Sequence, residues 1–303
     1  MAGREARWEA TAHSRADYLV LELRDMNEIR ALLRPGVEYT AYALGQLEPG
    51  LFERTRWFRA HGDTGAGVVL HSQGGLGDAT FVLGDPGAVA AILSLQPGPA
   101  QTYATCQPQH VEALKAVYQL ANTKPMIRMG VTAATFAPVV GATITPITGL
   151  DTRRLNQLYA AEGGASYYAP EHIEGGVYCG VLHEGKLIAV AGTHVVSDQE
   201  RIAVVGNVFT HPAYRGQGLA TATTSAVTAK LLERCDNVVL TVDPDNTPAV
   251  AAYRRLGYRE ICQLVEASAT RRDNFGLGVG LRRLRAAIRG RRYDGAFVTL
   301  HGR

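Results

Sequence analysis

Residues 210–221 read T-H-P-A-Y-R-G-Q-G-L-A-T. They stand between an apolar stretch, Ile202 to Phe209, and a long helical pattern from Leu219 to about Cys235. The junction therefore reads as strand, glycine-rich turn, helix. A helix start leaves several N–H groups without partners and carries partial positive charge. Glycines at 216 and 218 keep side chains away, so backbone can approach an anion closely. The spacing matches neither G-x-G-x-x-G nor G-x-x-x-x-G-K-[ST]. Arg215 either adds a cation or braces the turn.

Working outward, V-V-L-T-V (238–242) is a strand. D-P-D-N-T-P turns the chain into a helix from Ala249 to Leu256, and Gly257 sits where a helix-ending glycine belongs. Tyr258 to Ala267 is a further strand. Upstream, Thr143 to Ile147 reads as a strand and Asp151 as a cap for a helix carrying Leu155, Leu158 and Tyr159. Val177 to Leu182 and Leu187 to Val196 form a hairpin through H-E-G-K.

The first part repeats this grammar. Helices are expected from Asp25 to Arg34, from Val37 to Leu47, over Gly87–Leu95 and over His110–Leu120. Strands are expected at Trp57–Ala60, Gly67–His71, Thr80–Leu83, Gln101–Cys106 and Met126–Val131. The two halves look like distant copies of one β-α-β-β-β-α-β-α-β unit. The small, weakly patterned residues 132–142 mark the boundary.

In this order, residues 201–266 resemble the GNAT (GCN5-related N-acetyltransferase) superfamily. Its signature Q/R-x-x-G-x-G/A is matched by Arg215, Gly216, Gln217, Gly218, Leu219 and Ala220. Its second signature, N-x-x-A-x-x-x-Y-x-x-x-G-F/Y, is matched by Asn246, Ala249, Tyr253, Gly257 and Tyr258. The resemblance implies an α+β fold of two GNAT-like domains, each a mixed, mostly antiparallel sheet flanked by helices. Residues 1–135 would be a divergent copy, 143–268 the acetyl-CoA-binding catalytic domain, and 269–303 a helix-strand tail.

It also implies roles. Acetyl-CoA is the expected co-substrate, with no metal. Val208, Phe209 and Thr210 would offer strand-edge groups to the pantetheine arm. Arg215 to Thr221, through the backbone of Gly216, Gln217, Gly218, Leu219, Ala220 and Thr221, would hold the pyrophosphate. Asn246 would hydrogen-bond the pantetheine. Tyr253 would be the general acid that protonates the leaving thiolate, a role that suits a phenol. The reaction would be acetyl transfer to a primary amine on a small molecule or peptide. Longer acyl groups, amino-acid acceptors, and CoA binding without turnover remain alternatives.

The usual basic glutamate is missing, since Ile202 to Thr210 holds no carboxylate and Asn207 and Thr241 stand near its positions. Glu171, His172, His194 and His211 are the candidates for its work. Tyr167, Tyr168 and Tyr178 could line an acceptor pocket.

Composition fits this reading. The chain has 303 residues, 46% hydrophobic and 19% charged, with a formal net charge of +3. That balance excludes disorder, and the charge alone does not point to nucleic acid. Cys106, Cys179, Cys235 and Cys262 form no C-x-x-C pair and read as reduced core residues of a cytoplasmic protein. The N-terminus lacks the apolar core of a signal peptide, and no apolar run is long enough to span a membrane. The tail carries a basic helix with Leu281, Leu284 and Ile288 on one face, then a strand, G-A-F-V-T-L. That strand is expected to join a sheet edge, either of the first half or of a second copy in a homodimer.

Overall fold

A computed structural model describes residues 15–74, 77–163, 168–273, 277–290 and 295–301. In the first half, strand β1 (Arg15–Leu23) leads into helices α1 (Met26–Leu33) and α2 (Val37–Gly45). Strands β2 (Thr55–Gly62), β3 (Gly65–Ser72) and β4 (Ala79–Gly84) form an antiparallel run. Helix α3 (Pro86–Leu95), strand β5 (Gln101–Cys106), helix α4 (Val111–Lys115) and strand β6 (Tyr118–Val131) follow.

The second half repeats the order. It runs β7 (Thr145–Pro146), α5 (Thr152–Ala160), α6 (Pro170–Glu174), β8 (Cys179–His183), β9 (Lys186–Ser197) and β10 (Ile202–Thr210). Then come α7 (Leu219–Leu232), β11 (Asn237–Val242), α8 (Thr247–Arg255) and β12 (Arg259–Arg271). The tail adds α9 (Leu277–Gly290) and β13 (Ala296–His301).

Local chemistry sets many of these bounds. Asp85 caps α3 by accepting from Ala88 N at 2.8 Å, with Pro86 in the first turn where its missing N–H costs nothing. Glu184 and Gly185 both have positive φ, the conformation a two-residue hairpin turn between β8 and β9 demands. Gly257 ends α8 at φ 91°, and a Cβ there would strike the Thr135 carbonyl.

All strands join one sheet, in the order β13-β1-β2-β3-β4-β5-β12-β6-β11-β10-β9-β8-β7. Two pairings are parallel, β4 with β5 and β10 with β11, at equivalent places in the two halves. The sixth strands are exchanged. β6 follows the first half in sequence but pairs with β11, while β12 follows the second half and pairs with β5. The two also pair with each other, from Tyr118↔Arg271 to Gly130↔Arg259. The sheet thus runs unbroken across the junction between the halves.

Several expectations change. β1 precedes the first helix, where no element was expected. The helix expected over His110–Leu120 stops at Lys115 because Tyr118 already belongs to β6, buried with its hydroxyl on the Pro97 carbonyl. β7 keeps two residues of the expected five. Asp151 does not cap α5 by a side-chain bond. It accepts from the Thr148 N–H at 3.2 Å in a preceding turn. The closing strand β13 pairs with β1, the edge of the first half. Leu281, Leu284 and Ile288 of α9 are exposed, and the helix rests on the body through Val279 and Ala286. All four cysteines are free, and Cys262 is the one not fully buried. No helix among the described residues is long and apolar enough to cross a membrane.

Candidate functional site

The site begins with a break in β10. Its parallel ladder to β11 ends at Val205↔Leu240, although both strands continue. Its register on β9 also shifts between Gly206 and Phe209. Asn207 lies in that break at φ 54°, a left-handed conformation that asparagine tolerates better than most residues. Three tyrosines hold it. Tyr159 donates to the Asn207 carbonyl at 2.6 Å, and Tyr168 donates to Oδ1 at 2.7 Å. Asn207 Nδ2 donates to the Tyr178 hydroxyl at 2.9 Å. A bulge fixed in this way bends its strand and leaves ladder groups unpaired.

A cavity opens on each side of this gap. The larger, about 720 Å³, is lined by Val208, Phe209, Thr210, Arg215, Gly216, Gly218, Leu219, Ala220 and Thr221, and by Asn246 and Tyr253. Gly216 and Gly218 have φ of 78° and 74°, and a Cβ on either would meet nothing within 4 Å. The glycines therefore serve the backbone conformation and an open approach. Gly218 is the N-cap of α7 and offers no side chain to the helix start. The first N–H groups of α7 consequently face the cavity end without side-chain partners. Arg215 braces the turn: it donates to the Thr210 carbonyl at 3.3 Å and to Glu162 at 2.5 Å. The Gln217 side chain is exposed and does not line the cavity.

The smaller cavity, about 350 Å³, is lined by Tyr42, Met126, Tyr159, His194, Asn207, Thr241, Asp243 and Glu266, among others. The two cavities share Val208, Asn246, Ala249 and Tyr253. Asn246 caps α8 by accepting from Ala249 N at 3.3 Å. Tyr253, two turns on, is 8% exposed, and its hydroxyl makes no hydrogen bond among the described residues. Burial pushes its phenol up to about 12. It is thus a protonated hydroxyl at the meeting point of the two cavities.

Of the candidates for the missing base, the structure brings one to this place. His194 lies over Gly206, where a Cβ would come within 2.0 Å of Nε2, and its ring faces Tyr42 at 5.9 Å. The imidazole is exposed to solvent at the cavity, with protein packed around its other sides. That packing, with the Arg128 cation nearby, lowers its pKa from the usual imidazole range, which favours the neutral ring near pH 7. His172 accepts from Ala169 N at 3.1 Å and His211 from Ala213 N at 3.3 Å, so both cap local turns. Glu171 is exposed and lines neither cavity.

Tyr168 and Tyr178 support Asn207 and do not line the smaller cavity, whose tyrosines are Tyr42, Tyr159 and Tyr253. Tyr167 lies outside the described residues. Tyr42, Asp243 and Glu266 were not expected in the site. Glu266 accepts from Tyr103 at 2.9 Å. Behind this cavity Arg128 is wholly buried, with Tyr42 packed 5.1 Å from its guanidinium carbon and no hydrogen-bond partner for its three nitrogens. Among the described residues, no group of three His, Cys, Asp or Glu could hold a metal ion.

Comparisons place this geometry. Residues 150–258 match the model of the Acetyltransferase (GNAT) family. A solved Drosophila protein shares 14% identity at a TM-score of 0.58, over 83% of this chain and 98% of its own. An acetyltransferase from the GNAT family of Colwellia psychrerythraea shares 13% at 0.52, over 82% and 98%. A tandem GNAT protein from the clavulanic acid biosynthesis pathway shares 15% at 0.51, over 84% and 98%. At these identities the likeness is one of fold, and it extends over both halves. No curated protein matches the sequence.

Proposed function

We propose, starting from residues 150–258 as a domain of the acetyltransferase (GNAT) family, that the protein is an N-acetyltransferase. It would move the acetyl group of acetyl-CoA to a primary amine on a small molecule or peptide. The observation that carries this reading is the meeting of the two cavities at Tyr253.

The larger cavity suits acetyl-CoA. The free N–H groups at the start of α7, behind Gly216 and Gly218, suit a pyrophosphate. Ladder groups of β10 near Val208 suit the amides of the pantetheine arm, as Asn246 does. Acetyl-CoA supplies an activated thioester. An N–H of the unpaired β10 segment can donate to the thioester oxygen as it gains charge. Tyr253, kept protonated by burial, donates its proton to the departing sulfur.

The smaller cavity would take the acceptor. His194, held neutral, and the carboxylates of Asp243 and Glu266 are the groups there that can accept the amine's proton. Four free cysteines suit the reducing cytoplasm as the place of action.

The test is acetyl-CoA turnover, read as free thiol, against amino acids, polyamines, aminoglycosides and peptides. Tyr253→Phe keeps the ring and removes the acid. It is expected to lower kcat by about 10²- to 10⁴-fold and leave acetyl-CoA affinity nearly unchanged. Tight CoA binding with no turnover on any amine would overturn the enzyme reading in favour of a CoA-binding sensor.

A further inference from the structure

A separate cavity of about 530 Å³ lies in the first half. It sits beside Gln96 to Pro99, past the C-terminal end of α3. The parallel pair β4 and β5 is the counterpart of β10 and β11, and α3 begins where β4 ends. This cavity is therefore at the opposite end of α3 from the place equivalent to the one proposed for acetyl-CoA in the second half. It is not a degenerate copy of that site.

Its walls are strongly unbalanced in charge. Arg54, Arg56, Arg271 and Arg283 line it, against Glu53 as the one carboxylate in the lining. Arg271 donates to the Asp273 carbonyl at 2.8 Å and the Gly98 carbonyl at 3.0 Å. Arg283 donates to the Leu95 carbonyl at 2.6 Å and to Gln96 Oε1 at 2.7 Å. These acceptors are neutral, so they fix the guanidiniums in place without cancelling their charge. Arg56 reaches Glu22 at 3.4 Å, an exposed contact that is largely screened, and its guanidinium lies 4.9 Å from the Phe58 ring centre. Burial, then the charges of Arg56 and Arg271, pull the Arg283 pKa down. Like charges held together in a concave wall are costly unless an anion joins them.

We propose that this cavity is a second ligand site, for a small multiply charged anion of the oligophosphate or polycarboxylate kind. Several guanidiniums suit such a ligand because each can donate a pair of parallel hydrogen bonds. The volume exceeds the needs of a single phosphate, and the half-buried Pro99 ring gives an uncharged part of the ligand an apolar wall.

Calorimetry on the full chain tests this, with inorganic pyrophosphate and citrate as separate probes and acetyl-CoA present at saturation. One binding event per chain is expected for at least one probe, weakening as chloride is added. The probe that binds tells phosphate from carboxylate recognition. Gly280, in α9, lines the cavity, and a Cβ there meets nothing within 4 Å. Gly280→Glu is therefore expected to fold, to melt higher, and to set its own carboxylate among the arginines, weakening the probe by about tenfold or more. The double substitution Arg56→Ala with Arg283→Ala is expected to weaken it similarly. The proposal fails if neither probe binds above a chloride-matched control. It also fails if Gly280→Glu leaves the affinity unchanged, or if acetyl-CoA displaces the probe.

Discussion

The exchange of β6 and β12 has a direct thermodynamic consequence. Met129 belongs to β6, yet it is fully buried among Val205, Val227, Val238, Leu240 and Tyr253 of the second half. Met129→Ala removes a side chain that these neighbours cannot easily replace, at a cost of about 2–5 kcal/mol. For a chain of this size that lowers Tm by about 3–8 °C. Leu264 offers the mirror test. It belongs to β12 but is buried with Ile29, Trp57 and Leu70 of the first half. Neither half can lose its fold without stripping a strand from the other. Scanning calorimetry is therefore expected to show one transition, and each substitution should move the whole of it. Two resolved transitions, with Met129→Ala moving one and Leu264→Ala the other, would refute the reasoning.

Three further outcomes are expected. Gly206→Ala puts a Cβ within 2.0 Å of His194 Nε2, so the imidazole must leave the acceptor cavity; kcat/KM for the amine should fall while CoA affinity, by calorimetry, stays as it was. Gly218→Val forces a β-branched residue to φ 74° at the start of α7, a strain of about 1–2 kcal/mol that should weaken CoA binding about tenfold; equal affinity would count against the turn as the pyrophosphate site. His71 is 5% exposed, bonded to Thr80 and the Gln96 carbonyl, and pushed down to about 4 by burial, with a smaller contribution from Arg56. The unfolded chain takes up that proton below pH ~6.5 and the fold does not, so stability is lost as pH falls from ~6.5 to ~4, by about 3 kcal/mol in all. His71→Gln should flatten urea-derived stability across that window, and an unchanged slope would refute it.

What could be read from the sequence was what is local along the chain. T-H-P-A-Y-R-G-Q-G-L-A-T needs only its own glycines and the following helix to form its turn, and Asn246 and Tyr253 are carried by one cap and one short helix. The residues lining the larger cavity come mostly from 208–221 and 246–253, so they are close in sequence as well as in space. Non-local pairing was not legible. β6 begins Y-Q-L-A-N-T-K, a polar run whose strand form depends on β12, about 150 residues away along the chain at Gln119↔Thr270. From sequence alone Tyr118 to Leu120 therefore read as the end of a helix. Exchange of β6 and β12 is equally silent, because either partner would satisfy the same alternation of side chains.

The exchange also builds the cavity proposed for the acceptor. With β6 beside β11, α2 of the first half lies over β9, β10 and β11. That brings Tyr42 to the opened strand, and β12 brings Glu266. The side of the site proposed for acetyl-CoA therefore follows from a pattern local in the sequence. The acceptor side is assembled from α2, β6, β9 and β12, and its chemistry depends on how two half-sheets were joined. Changes at Tyr42, His194 or Glu266 should accordingly alter which amine is accepted, and leave the pyrophosphate turn as it is.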